Sequence, residues 1–137
     1  MGRTYLFQCS KCGYRARVSG CADAGLDFSV QTIACRDCRA LFDAVVRWRV
    51  AEGLGLRRAF GWQELRKLRR ATDAAPGVDS VLNRLPQAGE RGFRWLEFNL
   101  RCPVSKLHRV RAWNDPDKCP RCGVFLEKNG LPFRIWE

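Results

Sequence analysis

Cysteine recurs in this chain at a fixed short interval, and that interval limits the available folds more than anything else in the sequence. Cys9 and Cys12, Cys35 and Cys38, and Cys119 and Cys122 are each separated by two residues. Two thiolates at that spacing on a tight turn chelate one tetrahedral ion. Cys102 stands alone ahead of the third pair, Cys21 stands alone between the first two, and no cysteine lies between Cys38 and Cys102. The thiols therefore mark two ends of about 40–50 residues each. Domains of that size rarely fold on hydrophobic burial alone and usually need a staple.

Metal is the expected staple. Met1-Gly2-Arg3-Thr4-Tyr5 leads straight into a polar, cysteine-bearing segment, so no export signal is read and a reducing compartment is expected, cytoplasmic or nucleoid-associated. No βαβ pattern surrounds the pairs to make them redox motifs. The first expected site is Cys9, Cys12, Cys35 and Cys38, in the pattern C-x2-C-x22-C-x2-C. Four thiolates leave no open position, so such an ion is structural. The second is Cys102, Cys119 and Cys122 with His108, the only histidine of the chain. If His108 is not a ligand, water fills the fourth position or the site is empty. Two Zn²⁺ per chain are expected, and Cys21 is read as a small buried or loop thiol.

Along the chain, residues 1–50 read as an N-terminal β unit, with strands at Tyr5–Gln8, Tyr14–Val18, Phe28–Ile33 and Leu41–Val50 and a loop over Ser19–Asp27. Gly13 is expected to turn the chain at positive φ after the second thiolate. Residues 51–91 read as a basic helix over Leu56–Ala71, docked through Trp62, Leu65 and Leu68, followed by a linker in which Asp79 caps a short turn. Residues 92–137 read as a second β unit, with strands at Phe93–Leu100 and Arg109–Trp113 and a hairpin around Asn129-Gly130. The expected fold is small and mainly β: two ribbon-like units and one intervening basic α-helix.

The paired knuckles resemble those of zinc-ribbon proteins, in which two strand-borne Cys-x-x-Cys turns close one tetrahedron. Residues 102–127 are also similar to the short heavy-metal-binding modules of copper-translocating ATPases, through Cys102-Pro103-Val104-Ser105 and Asp115-Pro116-Asp117-Lys118-Cys119-Pro120-Arg121-Cys122-Gly123-Val124. Ser105 stands where that family has His, and Val104 and Val124 where it has Met. Without soft thioether ligands, zinc is expected rather than copper.

Functionally, the sequence lacks a Gly-rich Lys phosphate loop and a His-Glu-x-x-His helix. Its one histidine would have to serve any Ser or Cys nucleophile, so a non-catalytic protein is expected. The formal charge is +11. Seven thiolates holding two Zn²⁺ lower it to about +8. Arginine alternates with aromatics in Arg47-Trp48-Arg49, Phe93-Arg94-Trp95 and Arg109-Val110-Arg111-Ala112-Trp113. Nucleic acid is the expected partner, through Arg47, Arg49, Arg57, Arg58, Arg66, Lys67, Arg69, Arg70, Arg109 and Arg111. The alternative is a protein-interaction module or small subunit of a larger assembly, with zinc purely structural. No membrane partner and no small-molecule substrate are expected.

Overall fold

A computed structural model describes residues 1–51, 77–83 and 92–136. Eight strands and one short helix follow in order: β1 Gly2–Gln8, β2 Arg15–Val18, β3 Ala22–Ala24, β4 Phe28–Cys35, β5 Ala40–Ala51, α1 Val78–Leu82, β6 Phe93–Glu97, β7 Val110–Ala112 and β8 Glu127–Trp136. The chain is small and mainly β, as expected. The expected helix over Leu56–Ala71, with Trp62, Leu65, Leu68 and the basic residues Arg57, Arg58, Arg66, Lys67, Arg69 and Arg70, lies outside the described residues. Among those described, no helix is long and apolar enough to cross a membrane.

The strands form two antiparallel sheets that draw on both ends of the sequence. One has the order β2-β1-β8; the other has the order β3-β4-β5-β6, with β7 also pairing β4. The C-terminal β8 therefore lies on the N-terminal β1, with Gly2 opposite Trp136 and Gln8 opposite Glu127. β7 lies on the end of β4, Cys35 opposite Val110 and Ile33 opposite Ala112. β6 extends β5, Arg47 opposite Glu97 and Ala51 opposite Phe93. The expected boundaries at 50 and 92 run across these pairings.

Three local expectations change. Ser19–Asp27 contains β3, which pairs β4 from Ala22 opposite Gln31 to Ala24 opposite Ser29. Three residues, two of them alanine, carry no visible alternation. Asn129-Gly130 does not turn a hairpin but sits inside β8. There β1 advances from Phe7 to Tyr5 while β8 advances from Lys128 to Pro132, so β8 bulges. The Asn129 amide oxygen accepts the Leu131 N–H at 3.2 Å within that bulge, so the turn chemistry is used to kink a strand. Asp79 is not the cap of α1, whose N-cap is Gly77; it lies in the first turn and takes Arg134 at 2.9 Å.

Two buried clusters fill the space between the sheets. Phe7 and Trp113 meet edge to face at 5.2 Å, surrounded by Ala16, Val18, Ala34, Leu41 and Leu126. Phe28 and Trp136 stack at 4.2 Å, surrounded by Val45, Trp48, Val50, Val81 and Phe98. Trp48 and Trp113 are thus core residues, whereas Trp95 is exposed. Gly20, at φ +88°, passes so close to Phe7 that a Cβ there would stand 2.6 Å from the ring. The close approach lets Gly20 accept the Asp115 N–H at 2.7 Å, tying the β2–β3 link to the segment after β7.

Candidate metal centres

Strand pairing decides which knuckles meet. β1 ends at Gln8 and delivers Cys9; because β8 is antiparallel to β1, the knuckle that precedes β8 arrives at the same place. β4 ends at Cys35, and by the same logic the segment preceding β7 arrives beside it. The result is two clusters: Cys9, Cys12, Cys119 and Cys122, and Cys35, Cys38, Cys102 and His108. All eight residues expected as ligands fall in these two clusters, but not in the expected partition. Cys9 and Cys12 do not join Cys35 and Cys38. Each cluster takes half its donors from each end of the chain.

The donor atoms of each cluster lie within 4.8 Å of one another. Cys9 and Cys122 Sγ are 3.3 Å apart, Cys12 and Cys119 3.7 Å, and Cys38 and Cys102 3.6 Å. Four sulfurs at about 2.3 Å from a tetrahedral ion stand about 3.8 Å apart, so the donor spacing fits such an ion. His108 turns Nδ1 into the second cluster, 3.3 Å from Cys38 Sγ and 3.7 Å from Cys35 Sγ. Ser105 builds the turn that presents it: its carbonyl accepts the His108 N–H at 3.2 Å and its hydroxyl the Leu107 N–H at 3.3 Å.

The first cluster is built from two matching turns. Gly13 N–H donates to Cys9 O at 3.1 Å and Cys9 N–H to Tyr14 O at 2.8 Å; Gly123 donates to Cys119 O at 3.0 Å and Cys119 to Val124 O at 2.7 Å. Gly13 and Gly123 have φ of +71° and +80°, so the left-handed turn expected after Cys12 recurs after Cys122. The knuckle of the second cluster has Arg39 in that place, at φ +52°. Backbone amides also point at sulfur: Cys38 N–H to Cys35 Sγ, Val104 to Cys102 and Arg121 to Cys119, at 3.3–3.4 Å. Pro103 and Pro120 have no N–H, so the donor after Cys102 and Cys119 is the second residue on.

Without a cation, thiols this close cannot all ionise. The Cys12 backbone amide, aided by Cys122, holds Cys9 down to about 6 against its burial. The Val124 amide favours the Cys122 thiolate, but Cys9 and burial outweigh it and its pKa is raised. In the second cluster, burial and then Cys102 and Cys35 push Cys38 up to about 12. Burial opposes the Cys102 thiolate too, yet the Ser105 and Val104 amides and His108 bring it down to about 7. A bound divalent cation removes the conflict by displacing the shared protons.

The clusters lie side by side. Arg39 Nη2 donates to the Arg121 carbonyl at 2.6 Å, and the Arg121 guanidinium covers the Tyr14 ring at 4.7 Å. Tyr14, just ahead of β2, in turn accepts the Leu41 N–H of β5 at 2.8 Å on its hydroxyl.

Of the arginines expected to face nucleic acid, several have carboxylate partners. Arg49 binds Asp27 at 2.5 Å, Arg111 binds Asp117 at 2.5 Å and Arg47 meets Glu97 at 3.6 Å. Arg47 and Arg49 also lie over the rings of Trp95 and Phe93, at 4.6 and 4.5 Å. Arg109 is exposed, its backbone N–H donating to Asp37 at 2.9 Å. Cys21 belongs to neither cluster; it is exposed in the bend between β2 and β3, the loop thiol of the two alternatives expected. No family model, no curated protein and no solved structure matches the chain.

Proposed function

We propose that this is a non-catalytic zinc protein, built of two ribbon-like units, that binds nucleic acid. The observation that carries the metal reading is the pair of closed four-donor sets. Each set has donors enough to fill a tetrahedron, so the ion acts as a clamp and has no vacant position for water or substrate. Three or four thiolates per site with no thioether favour Zn²⁺ over copper. The clamp joins strands, so its task is to hold surfaces in place. A formal charge of +11, about +8 after metal binding, favours a polyanion as the partner of those surfaces.

The alternative, a subunit of a protein assembly, draws on β8, whose solvent face shows Leu131, Phe133 and Ile135 at alternate positions. Native mass spectrometry is expected to find two zinc ions per chain. Anisotropy of labelled oligonucleotides is expected to show binding at low salt that weakens steeply as salt rises. A protein holding two ions but showing no low-salt binding would leave the assembly reading in place.

A further inference from the structure

Among the described residues, a group of unpaired cations gathers at the metal-bearing end. Half of the strand-borne arginines have carboxylate partners, Arg47 with Glu97, Arg49 with Asp27, Arg111 with Asp117 and Arg134 with Asp79; Arg3, Arg15, Arg17 and Arg94, which have none among the described residues, are spread over β1, β2 and β6. The knuckles differ. Lys11 lies between Cys9 and Cys12, Arg36 between Cys35 and Cys38, and Lys106 and Arg109 flank His108. All four are exposed, and among the described residues no carboxylate lies within ion-pair distance of their side chains. Asp37, the acidic residue between Cys35 and Cys38, turns its carboxylate to the Arg109 backbone N–H. The bond from Arg39 to the Arg121 carbonyl joins the two sets of knuckles, and both of these arginines are exposed.

Part of this charge answers the metal sites themselves. A divalent ion with four thiolates has a formal charge of about −2, and one with three thiolates and a neutral imidazole about −1. The six cations named exceed that sum. The excess is mounted on turns that the ions hold rigid, which lowers the entropy lost when an extended anion is bound.

We propose that the metal-bearing end, through Lys11, Arg36, Lys106 and Arg109, is where the phosphate backbone of nucleic acid docks, and that the arginine–aromatic face of β5 and β6 is not. The proposal rests on the nucleic-acid reading above and gives it a surface. None of the four side chains is a ligand or makes a hydrogen bond within the described residues, so their removal leaves the clusters intact.

The test compares two zinc-loaded quadruple variants of equal charge. One carries Lys11→Gln, Arg36→Gln, Lys106→Gln and Arg109→Gln; the other carries Arg3→Gln, Arg17→Gln, Arg47→Gln and Arg94→Gln. Native mass spectrometry confirms two ions in each. Binding of labelled single-stranded and duplex oligonucleotides is followed by anisotropy across a salt series. For the first variant the slope of log affinity on log salt is expected to fall by about 3, at about 0.7–0.9 per phosphate contact, with affinity at low salt down at least about tenfold. The second is expected to lose less than about one unit of slope. Equal losses in both variants, or a larger loss in the second, would overturn the docking surface while leaving nucleic-acid binding intact. Absence of salt-dependent binding by the unaltered protein would instead remove the nucleic-acid reading, and the docking surface with it.

Discussion

Arg39 shows how one side chain can outweigh its own backbone. It occupies the left-handed position that Gly13 and Gly123 fill in the other knuckles, at φ +52°. A non-glycine residue there costs about 1–2 kcal/mol. The compensation is the 2.6 Å bond to the Arg121 carbonyl, which links the clusters. Arg39→Ala keeps the strained backbone and loses the bond; Arg39→Gly loses the bond and the strain. In denaturation of the zinc-loaded protein, the glycine variant is expected to be about 1 kcal/mol more stable than the alanine variant. A glycine variant less stable than the alanine variant would mean that the backbone is not strained, since glycine adds unfolded-state entropy. Asp43 makes a comparable compromise. Its carboxylate accepts the Ser19 N–H and hydroxyl and the Thr32 hydroxyl, the last at 2.6 Å, yet burial outweighs these bonds and its pKa is raised above 3.8. The folded state then binds its proton more readily than the unfolded chain. Ionised Asp43 therefore lowers stability. That penalty is absent below the unfolded value and grows as pH rises through the folded one. Asp43→Asn removes this dependence and turns an amide N–H₂ towards Ser19, costing about 1–3 kcal/mol. The stability gap between the parent and Asp43→Asn is thus expected to widen as pH falls from 7 towards the unfolded value. A gap that narrows would reverse the assigned shift.

Between β-strands, pairing partners are chosen by contacts that sequence proximity does not reveal. Most strands are legible because their apolar and charged residues alternate, as in Arg15–Val18, where burial also alternates. The eight ligands are legible because ligand chemistry restricts residue type and spacing. The partition between sites is not, because it follows from β8 lying on β1 and β7 on β4. One local signal was available. Cys9-Ser-Lys-Cys12-Gly13 and Cys119-Pro-Arg-Cys122-Gly123 both end in glycine, whereas Cys35-Arg-Asp-Cys38 ends in Arg39. The two glycine-ended turns share a site. Double variants separate the partitions. Cys9→Ser with Cys119→Ser removes two donors from one cluster and is expected to cost one ion per chain. Cys9→Ser with Cys35→Ser damages both clusters and is expected to cost two. Native mass spectrometry giving the reverse order, two ions lost in the first and one in the second, would restore the sequential arrangement of Cys9, Cys12, Cys35 and Cys38.

An ion in each cluster would tie together segments far apart in the chain: Cys12 meets Cys119 across 107 positions, and Cys38 meets Cys102 across 64. Cross-links that close such long loops remove more freedom from the unfolded chain than local ones. β8 has β1 as its strand partner and β7 pairs β4 over three residues. Cys9 and Cys119 are themselves part of the Phe7–Trp113 cluster, and Trp136, which completes the other cluster against Phe28, hangs from β8. Both cores therefore include segments that such clamps would hold in place. A structural zinc site contributes about 10–16 kcal/mol of apparent binding free energy, comparable to or larger than the net stability of about 5–15 kcal/mol typical of a folded domain. Stripping both ions with a chelator is accordingly expected to abolish the native fold in one transition, seen together in far-ultraviolet circular dichroism and in a red shift of tryptophan emission as Trp113, Trp48 and Trp136 meet water. Restoring zinc under reducing conditions is expected to recover both signals. A metal-free protein that kept its β signal and its buried tryptophan emission would show that the cores hold without their clamps.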